Sequence, residues 1–299
     1  MKFVIAGGSG FIGRKLTDVL LSENHEVVIL TRQEKQTTEG ITYIQWLDEG
    51  SAPEMEIGEA DVFINLAGVS INDGRWSPSH QKEIYESRMI ATDELIRIIH
   101  ALKHKPSVLI NASAIGIYPA STMTRYTEES TEVAQDFLGK TVHNWEQRAQ
   151  SLEQLGIRVA LMRFGVVLGN EGALPLMVMP YKFFVGGTVG SGNQWVSWVH
   201  VDDVVGSILF AAMNNIVYGP VNVTSPNPVQ MKAFGQTIGK VLKRPHWLPV
   251  PGFAMKAVLG KKSALVLEGQ SVLPEKLLQN GYQFSYPQLE SALANILKG

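Results

Sequence analysis

Three glycines at intervals of three, Gly7, Gly10 and Gly13, follow the apolar run Lys2-Phe-Val-Ile-Ala6 and open the amphipathic run Phe11 to Leu21. That order reads as strand, tight turn, helix. Such a turn lets the backbone approach a pyrophosphate, and the helix N-terminus offers unpaired N–H groups and a positive dipole end. The chemistry expected is dinucleotide binding, with Gly7, Gly10, Phe11, Ile12 and Gly13 at the phosphates. The next apolar run, Val27 to Leu30, ends in Thr31-Arg32. An NAD site usually carries a carboxylate there for the ribose 2′-hydroxyl. A guanidinium suits a 2′-phosphate instead, so NADP(H) is the expected cofactor. The competing reading of Arg32 is a solvated charge at a strand end. A later run closes on Asn65-Leu66-Ala67-Gly68, small residues that leave space for the adenosine half.

The elements that must position these groups alternate. Apolar runs at 2–6, 27–30, 42–45, 61–66, 107–112 and 157–163 are separated by helical patterns. Continuous apolar strands with helices between them predict an α/β fold with a parallel sheet covered on both faces. Ser77 and Pro78 mark a helix start. From there Ile84, Arg88, Ala91, Leu95, Ile98 and Leu102 recur at steps of four and three and share one face. Arg88 is the charge in that apolar stripe and needs a partner. The second half is less regular, with Gly186-Gly187, Gly190, Gly192 and a Pro-rich stretch from Pro220 to Pro228.

The 299 residues suffice for one large domain or two smaller ones, and the net charge of −2 argues against an electrostatic nucleic-acid binder. There is no cysteine, hence no disulfide or thiolate metal site, which fits a reducing compartment. The first apolar run is too short for a signal peptide, and no run approaches the roughly 20 residues of a membrane span. The expectation is a cytoplasmic protein, monomer or homodimer, with no nucleic-acid or membrane partner.

Other groups have two readings. His100 and His104 stand at a metal-clamping spacing, but no third ligand is evident, and Lys103 and Lys105 suggest a solvated helix end, so no metal is expected. Trp195 and Trp198 would stack on a flat substrate or pack a loop. Met177 and Met179 would line an adaptable pocket or fill core.

Several passages together resemble one superfamily, the extended short-chain dehydrogenases/reductases. They are the glycine turn, Asn65 to Gly68, Ser113-Ala-Ile-Gly-Ile-Tyr118, Arg163-Phe-Gly-Val-Val-Leu-Gly169 and Gly190 to Asp203. Trp76, Glu86-Ser-Arg88, Trp145-Glu146, Ser197-Trp-Val-His200 and the run from Leu267 to Pro287 resemble its atypical "epimerase family" branch, with an extra C-terminal domain. The resemblance implies a Rossmann domain of strand order 3-2-1-4-5-6, extended by a strand near Val221 to Val223. It would span 1–165 and be completed by about 196–224, with 166–195 and 225–299 as a smaller mixed α/β substrate-side domain. It also implies cofactor contacts at Leu66, Ala67, Gly68, Arg88, Val166 and, more weakly, Glu83.

The family's catalytic Ser/Thr and Tyr-x-x-x-Lys do not carry over. No tyrosine at 43, 85, 118, 126, 181 or 218 has Lys four residues on. In the family register Leu138 and Val142 take the Tyr and Lys positions, Ala114 takes the hydroxyl position, and Arg88 replaces a helix Asn. Leu and Val neither donate nor accept a proton. Ser113, Tyr118 and His200 are the remaining proton carriers implied nearby. Arg88 is read as a cofactor contact, or alternatively as a structural ion pair with Glu83 or Asp93. The function implied is an NADP(H)-dependent oxidoreductase or epimerase-like protein acting on an unidentified small molecule through a degenerate triad. The alternative is a non-catalytic NADP(H) sensor or assembly factor.

Overall fold

Each apolar run becomes a strand of one seven-stranded parallel sheet in the computed structural model, which describes residues 1–38 and 40–298. Across the sheet the strands run Gly219–Val223, Arg158–Phe164, Val108–Ala114, Val62–Asn65, Lys2–Ala6, Glu26–Thr31 and Ile41–Gln45. That is the expected order 3-2-1-4-5-6 with a seventh strand added beside the sixth, a doubly wound Rossmann sheet. The order reverses at Lys2–Ala6, so its carboxyl end and that of Val62–Asn65 flank the crevice where such folds bind ligands.

Side chains alternate between two cores. Phe3 and Ile5 point to Leu16 and Leu20 of the helix Phe11–Ser22 and to Val204 and Ile208 of the helix Val201–Met213. Val4 and Ala6 point to Ala91, Leu95 and Ile98 of the long helix Pro78–Ala101. Fully burying one Leu or Ile contributes about 1.5–3 kcal/mol, which pins the helix register by its apolar stripe. The long helix starts as its sequence signals, with Ser77 accepting from the His80 N–H at 3.2 Å.

A third core joins Leu174, Val178 and Tyr181 of the helix Leu174–Lys182 to Trp198, Phe234 and Ile238, and to Leu293 of the last helix, Leu289–Lys298. Three two-stranded ribbons stitch this region to the main sheet: Val166–Leu168 with Trp198–His200, Trp195–Val196 with Val229–Gln230, and Arg125–Tyr126 with Ser271–Val272. Among the described residues no helix is long and apolar enough to cross a membrane, and no cluster of His, Cys, Asp and Glu suits a metal ion.

Candidate functional site

The glycine turn is shaped by contacts that only glycine tolerates. Gly7 sits at φ +82°, and a Cβ there would lie 2.6 Å from the carbonyl of Leu66. A Cβ on Gly13 would lie 2.4 Å from Gly7 O. The Gly10 N–H donates to Gly7 O at 3.0 Å and closes the turn. The helix that follows has no side-chain cap and no acidic residue in its first turn. The N–H groups of Phe11, Ile12 and Gly13 precede the first intrahelical bond and are left for an anion. Phe11 packs where a Cβ on Gly169 would stand, 2.3 Å away, so the turn meets the segment that begins at Val166. Arg14 ties the same two segments, donating to Ser9 O and to Glu171 at 2.5 Å each.

Leu66, Ala67 and Gly68 form the opposite lip. Asn65 holds them: its Oδ1 accepts from the Ala67 N–H at 3.2 Å, while its Nδ2 donates to Asn111 Oδ1 at 2.8 Å and Thr92 Oγ1 at 3.0 Å. Trp145 Nε1 donates to the same Thr92 hydroxyl at 2.9 Å. Thr31 and Arg32 lie at the end of the second strand, with Arg32 exposed to solvent.

Arg88 crosses from the long helix to this lip. It donates to Val69 O at 3.1 Å and Ile84 O at 2.8 Å, and its guanidinium lies 5.2 Å from the Trp145 ring centroid. A Cβ on Gly68 would come 3.1 Å from its Cγ, so Gly68 is small to admit Arg88. The ion-pair reading of Arg88 is corrected here. Glu83 lies exposed beside His80 at 3.2 Å, and Asp93 pairs with Arg148. Among the described residues Arg88 meets no carboxylate, and burial lowers its pKa to about 10. It remains a cation at neutral pH, suited to an anion brought by a ligand.

The proton-carrying candidates lie deeper. Ser113 donates to Glu146 Oε1 at 2.5 Å. Arg163 grips the same carboxylate through Nε at 2.8 Å and Nη2 at 2.7 Å, and donates from Nη1 to the Tyr118 hydroxyl at 2.7 Å. That hydroxyl also lies 2.9 Å from Asn222 Oδ1 and 2.9 Å from Thr127 O. All of these side chains are buried. Burial raises the Tyr118 pKa, only partly offset by Arg163, so the phenol stays protonated. Burial also works against the Arg163 charge, but Glu146 outweighs it and holds that pKa above its ordinary value. Sequence reasoning noted Glu146 and Arg163 only inside family motifs. Arg163 carried a signal, a charge in the apolar run from Val159 to Phe164, whereas Glu146 lies in a polar stretch and carried none.

Leu138 stands beside Gly116, its Cβ 3.5 Å from where a glycine Cβ would be, and Val142 is buried with Ile117, Tyr118 and Val272. A cavity of about 290 Å³ opens by Glu132, His143, Gln147 and Arg163. No residue of the glycine turn lines it, so it is not the crevice described above.

His200 caps the helix Val201–Met213. Its Nδ1 accepts from the Asp202 N–H at 3.1 Å, which leaves the Nε2 proton for Asn295 Oδ1 at 3.1 Å. Its ring stacks on Tyr286 at 3.9 Å. Burial lowers its pKa. The unfolded chain therefore takes up this proton first, near the ordinary pKa of about 6.5. The His200 contribution to stability is complete above that pH and is lost as pH falls toward the folded value. The urea midpoint should drop between neutral and mildly acidic pH, and drop less in His200→Gln. An equal drop in both proteins would exclude His200 as its source. Of the expected substrate-side aromatics, Trp198 is wholly buried, whereas Trp195 is part-exposed and donates to Thr122 O at 3.0 Å. Met177 packs against the third core and Met179 is exposed.

Comparison with known proteins matches residues 3–223 to the NAD dependent epimerase/dehydratase family. Residues 250–296 match a domain of unknown function, DUF1731. The epimerase family protein YfhF of Bacillus subtilis is 49% identical over 298 residues, covering 99% of this chain and 98% of its own. The crystal structure of the human epimerase family protein SDR39U1 with NADPH superposes at a TM-score of 0.89, with 32% identity and all of both chains covered. A nucleoside-diphosphate sugar epimerase from Corynebacterium glutamicum superposes at 0.79, with 29% identity, over 99% of this chain and 58% of its own.

Proposed function

The chain belongs to the NAD dependent epimerase/dehydratase family, and on that premise we propose that it binds NADP(H) in the crevice between the glycine turn and the Leu66–Gly68 lip. The observation that carries the reading is Arg88, a half-buried guanidinium with no carboxylate partner among the described residues, placed against that lip. Arg32 at the second strand end and the NADPH of the human relative support the phosphorylated cofactor. The contacts proposed are Gly7, Gly10, Phe11, Ile12, Gly13, Thr31, Arg32, Leu66, Ala67, Gly68, Arg88 and Val166, with Glu83 at the rim. The nucleotide-binding unit is 1–165 with about 196–224, and the rest forms the substrate side.

The dinucleotide, when bound, supplies a hydride donor or acceptor. This chain's residues hold its phosphates and orient it toward the substrate side. An oxidoreductase or epimerase-like activity on a small molecule follows, without the usual Tyr and Lys, since Leu138 and Val142 transfer no proton. Ser113, Tyr118 and His200 remain the candidates for proton handling. A second reading, a cofactor-responsive protein without turnover, is favoured by one observation: all three side chains are buried and already hydrogen-bonded within the chain.

Titration with NADPH and NADH tests the proposal. NADPH should bind about tenfold tighter, roughly 1.4 kcal/mol. Arg32→Ala should abolish the preference, and Arg88→Ala should weaken both cofactors alike. Equal or absent binding in the unaltered protein would overturn the assignment.

A further inference from the structure

Large apolar side chains are exposed together in the second half. Phe183 is 72% exposed and Trp247 66%. They belong to one surface. Trp247 Nε1 donates to Phe184 O at 2.8 Å, the Trp247 and Leu248 N–H groups donate to Gly186 O at 2.9 and 3.1 Å, and the Arg244 guanidinium lies 4.2 Å from the Phe184 ring centroid. Phe184 at φ +63° and Lys243 at φ +55° are both held in the left-handed region, which costs about 1–3 kcal/mol each for residues of this kind. Each closes a helix, with the Val185 N–H on Pro180 O and the Arg244 N–H on Gly239 O, so two helix ends fix the position of the exposed aromatics.

The chain leads directly from this loop into the helix Gly252–Leu259, none of whose side chains is buried. Phe253 and Val258 are exposed on it. A helix this short is marginal by itself and ordinarily rests on an apolar surface. No other part of the described chain covers these residues.

Charge identifies the occupant. Between Glu171 and Glu268 the only acids are Asp202 and Asp203, against eight lysines and arginines, of which Lys240 pairs with Glu290 at 2.7 Å, although the whole chain carries −2. Both acids are engaged elsewhere. Asp202 pairs with Lys15 at 2.6 Å, and buried Asp203 accepts from the Ser285 and Tyr286 N–H groups. Lys182, Lys243, Arg244, Lys256 and Lys261 are all exposed among the aromatics. A second copy of the chain would set like charges against each other across a two-fold contact.

We propose that this face docks on an anionic phospholipid bilayer, its aromatic side chains entering the headgroup boundary and its basic side chains meeting lipid phosphates. Interleaved Lys/Arg and Phe/Trp on a short exposed helix and loop are the composition that lies in such a boundary. The protein then rests on a membrane surface rather than crossing it. This proposal is independent of the cofactor assignment.

The experiment is co-sedimentation of the full-length protein with vesicles of phosphatidylcholine alone and of phosphatidylcholine with phosphatidylglycerol. Binding should be at least roughly tenfold stronger to the anionic vesicles and fall with added salt. Phe253→Ser and Lys256→Glu, which remove no buried side chain, should each weaken it several-fold at an unchanged melting temperature. Lys243→Glu with Arg244→Glu should reduce it about tenfold or more. Absence of vesicle binding, equal binding to both vesicles, or full binding by the substituted proteins would overturn the proposal. So would a concentration-dependent dimer that Phe253→Ser dissolves while no vesicle is bound.

Discussion

Glu146→Ala lowers stability by about 3–5 kcal/mol, because it leaves the buried Arg163 cation without its carboxylate. The pair lies at 2.7 Å with both side chains only 7% exposed, so solvent does little to screen the loss. Ser113 loses its acceptor in the same variant. For a chain of this size each kcal/mol moves the melting temperature by about 2–4 °C, so a fall of roughly 10 °C is expected. Calorimetry or a urea melt measures it. The double variant Glu146→Leu with Arg163→Met should recover much of the stability, since an apolar pair replaces both charges. At a temperature where Glu146→Ala is folded, its dinucleotide affinity should change little, as the carboxylate's partners are Ser113 and Arg163 and not the glycine turn. A loss under about 1 kcal/mol would contradict the buried pair as a stabilising unit, because that is the value of an exposed one.

Gly13→Ala is expected to weaken NADPH binding by about a hundredfold, roughly 2.7 kcal/mol. The added methyl would sit 2.4 Å from Gly7 O and 2.6 Å from Gly8 Cα, both backbone atoms that cannot swing aside. The turn must open, and the N–H groups aimed at the phosphates move with it. Gly10→Ala is the internal comparison. Its methyl meets only Gly7 O, at 3.3 Å, and a few tenths of an ångström of relaxation accommodates it. Its loss should be about tenfold or less. Circular dichroism at the titration temperature separates lost binding from lost fold. Comparable affinities for the two variants would show that the turn does not set the phosphate contacts.

The residues that announced this fold are local ones. An apolar run four to seven residues long is a strand wherever it pairs, and glycines at 7, 10 and 13 constrain a turn through their own backbone. Ser77 and Pro78 start a helix by chemistry contained in four residues. The stripe from Ile84 to Leu102 told which face of that helix is buried, with the half-buried Arg88 on it. It could not tell what meets Arg88. Glu83 and Asp93 were plausible partners by spacing, yet the guanidinium goes to Val69 O and Ile84 O and over Trp145.

By itself, then, the amino-acid sequence determined the alternating strands and helices, their parallel sheet and the glycine turn, while the strand order and the register that puts Leu138 and Val142 at the Tyr and Lys positions came with the family resemblance. Periodicity, backbone permissiveness and side-chain chemistry act over a few residues and survive without a partner. Only the tertiary structure decided the rest. Ser113, Tyr118, Glu146, Arg163 and Asn222 are scattered over more than a hundred residues and become one network where three strands and a helix converge. Ser271–Val272 returns to pair with Arg125–Tyr126 across most of the second half of the chain. Phe183, Trp247 and Phe253 have the composition of core, yet they are exposed, because burial is a property of what packs alongside and not of the side chain alone.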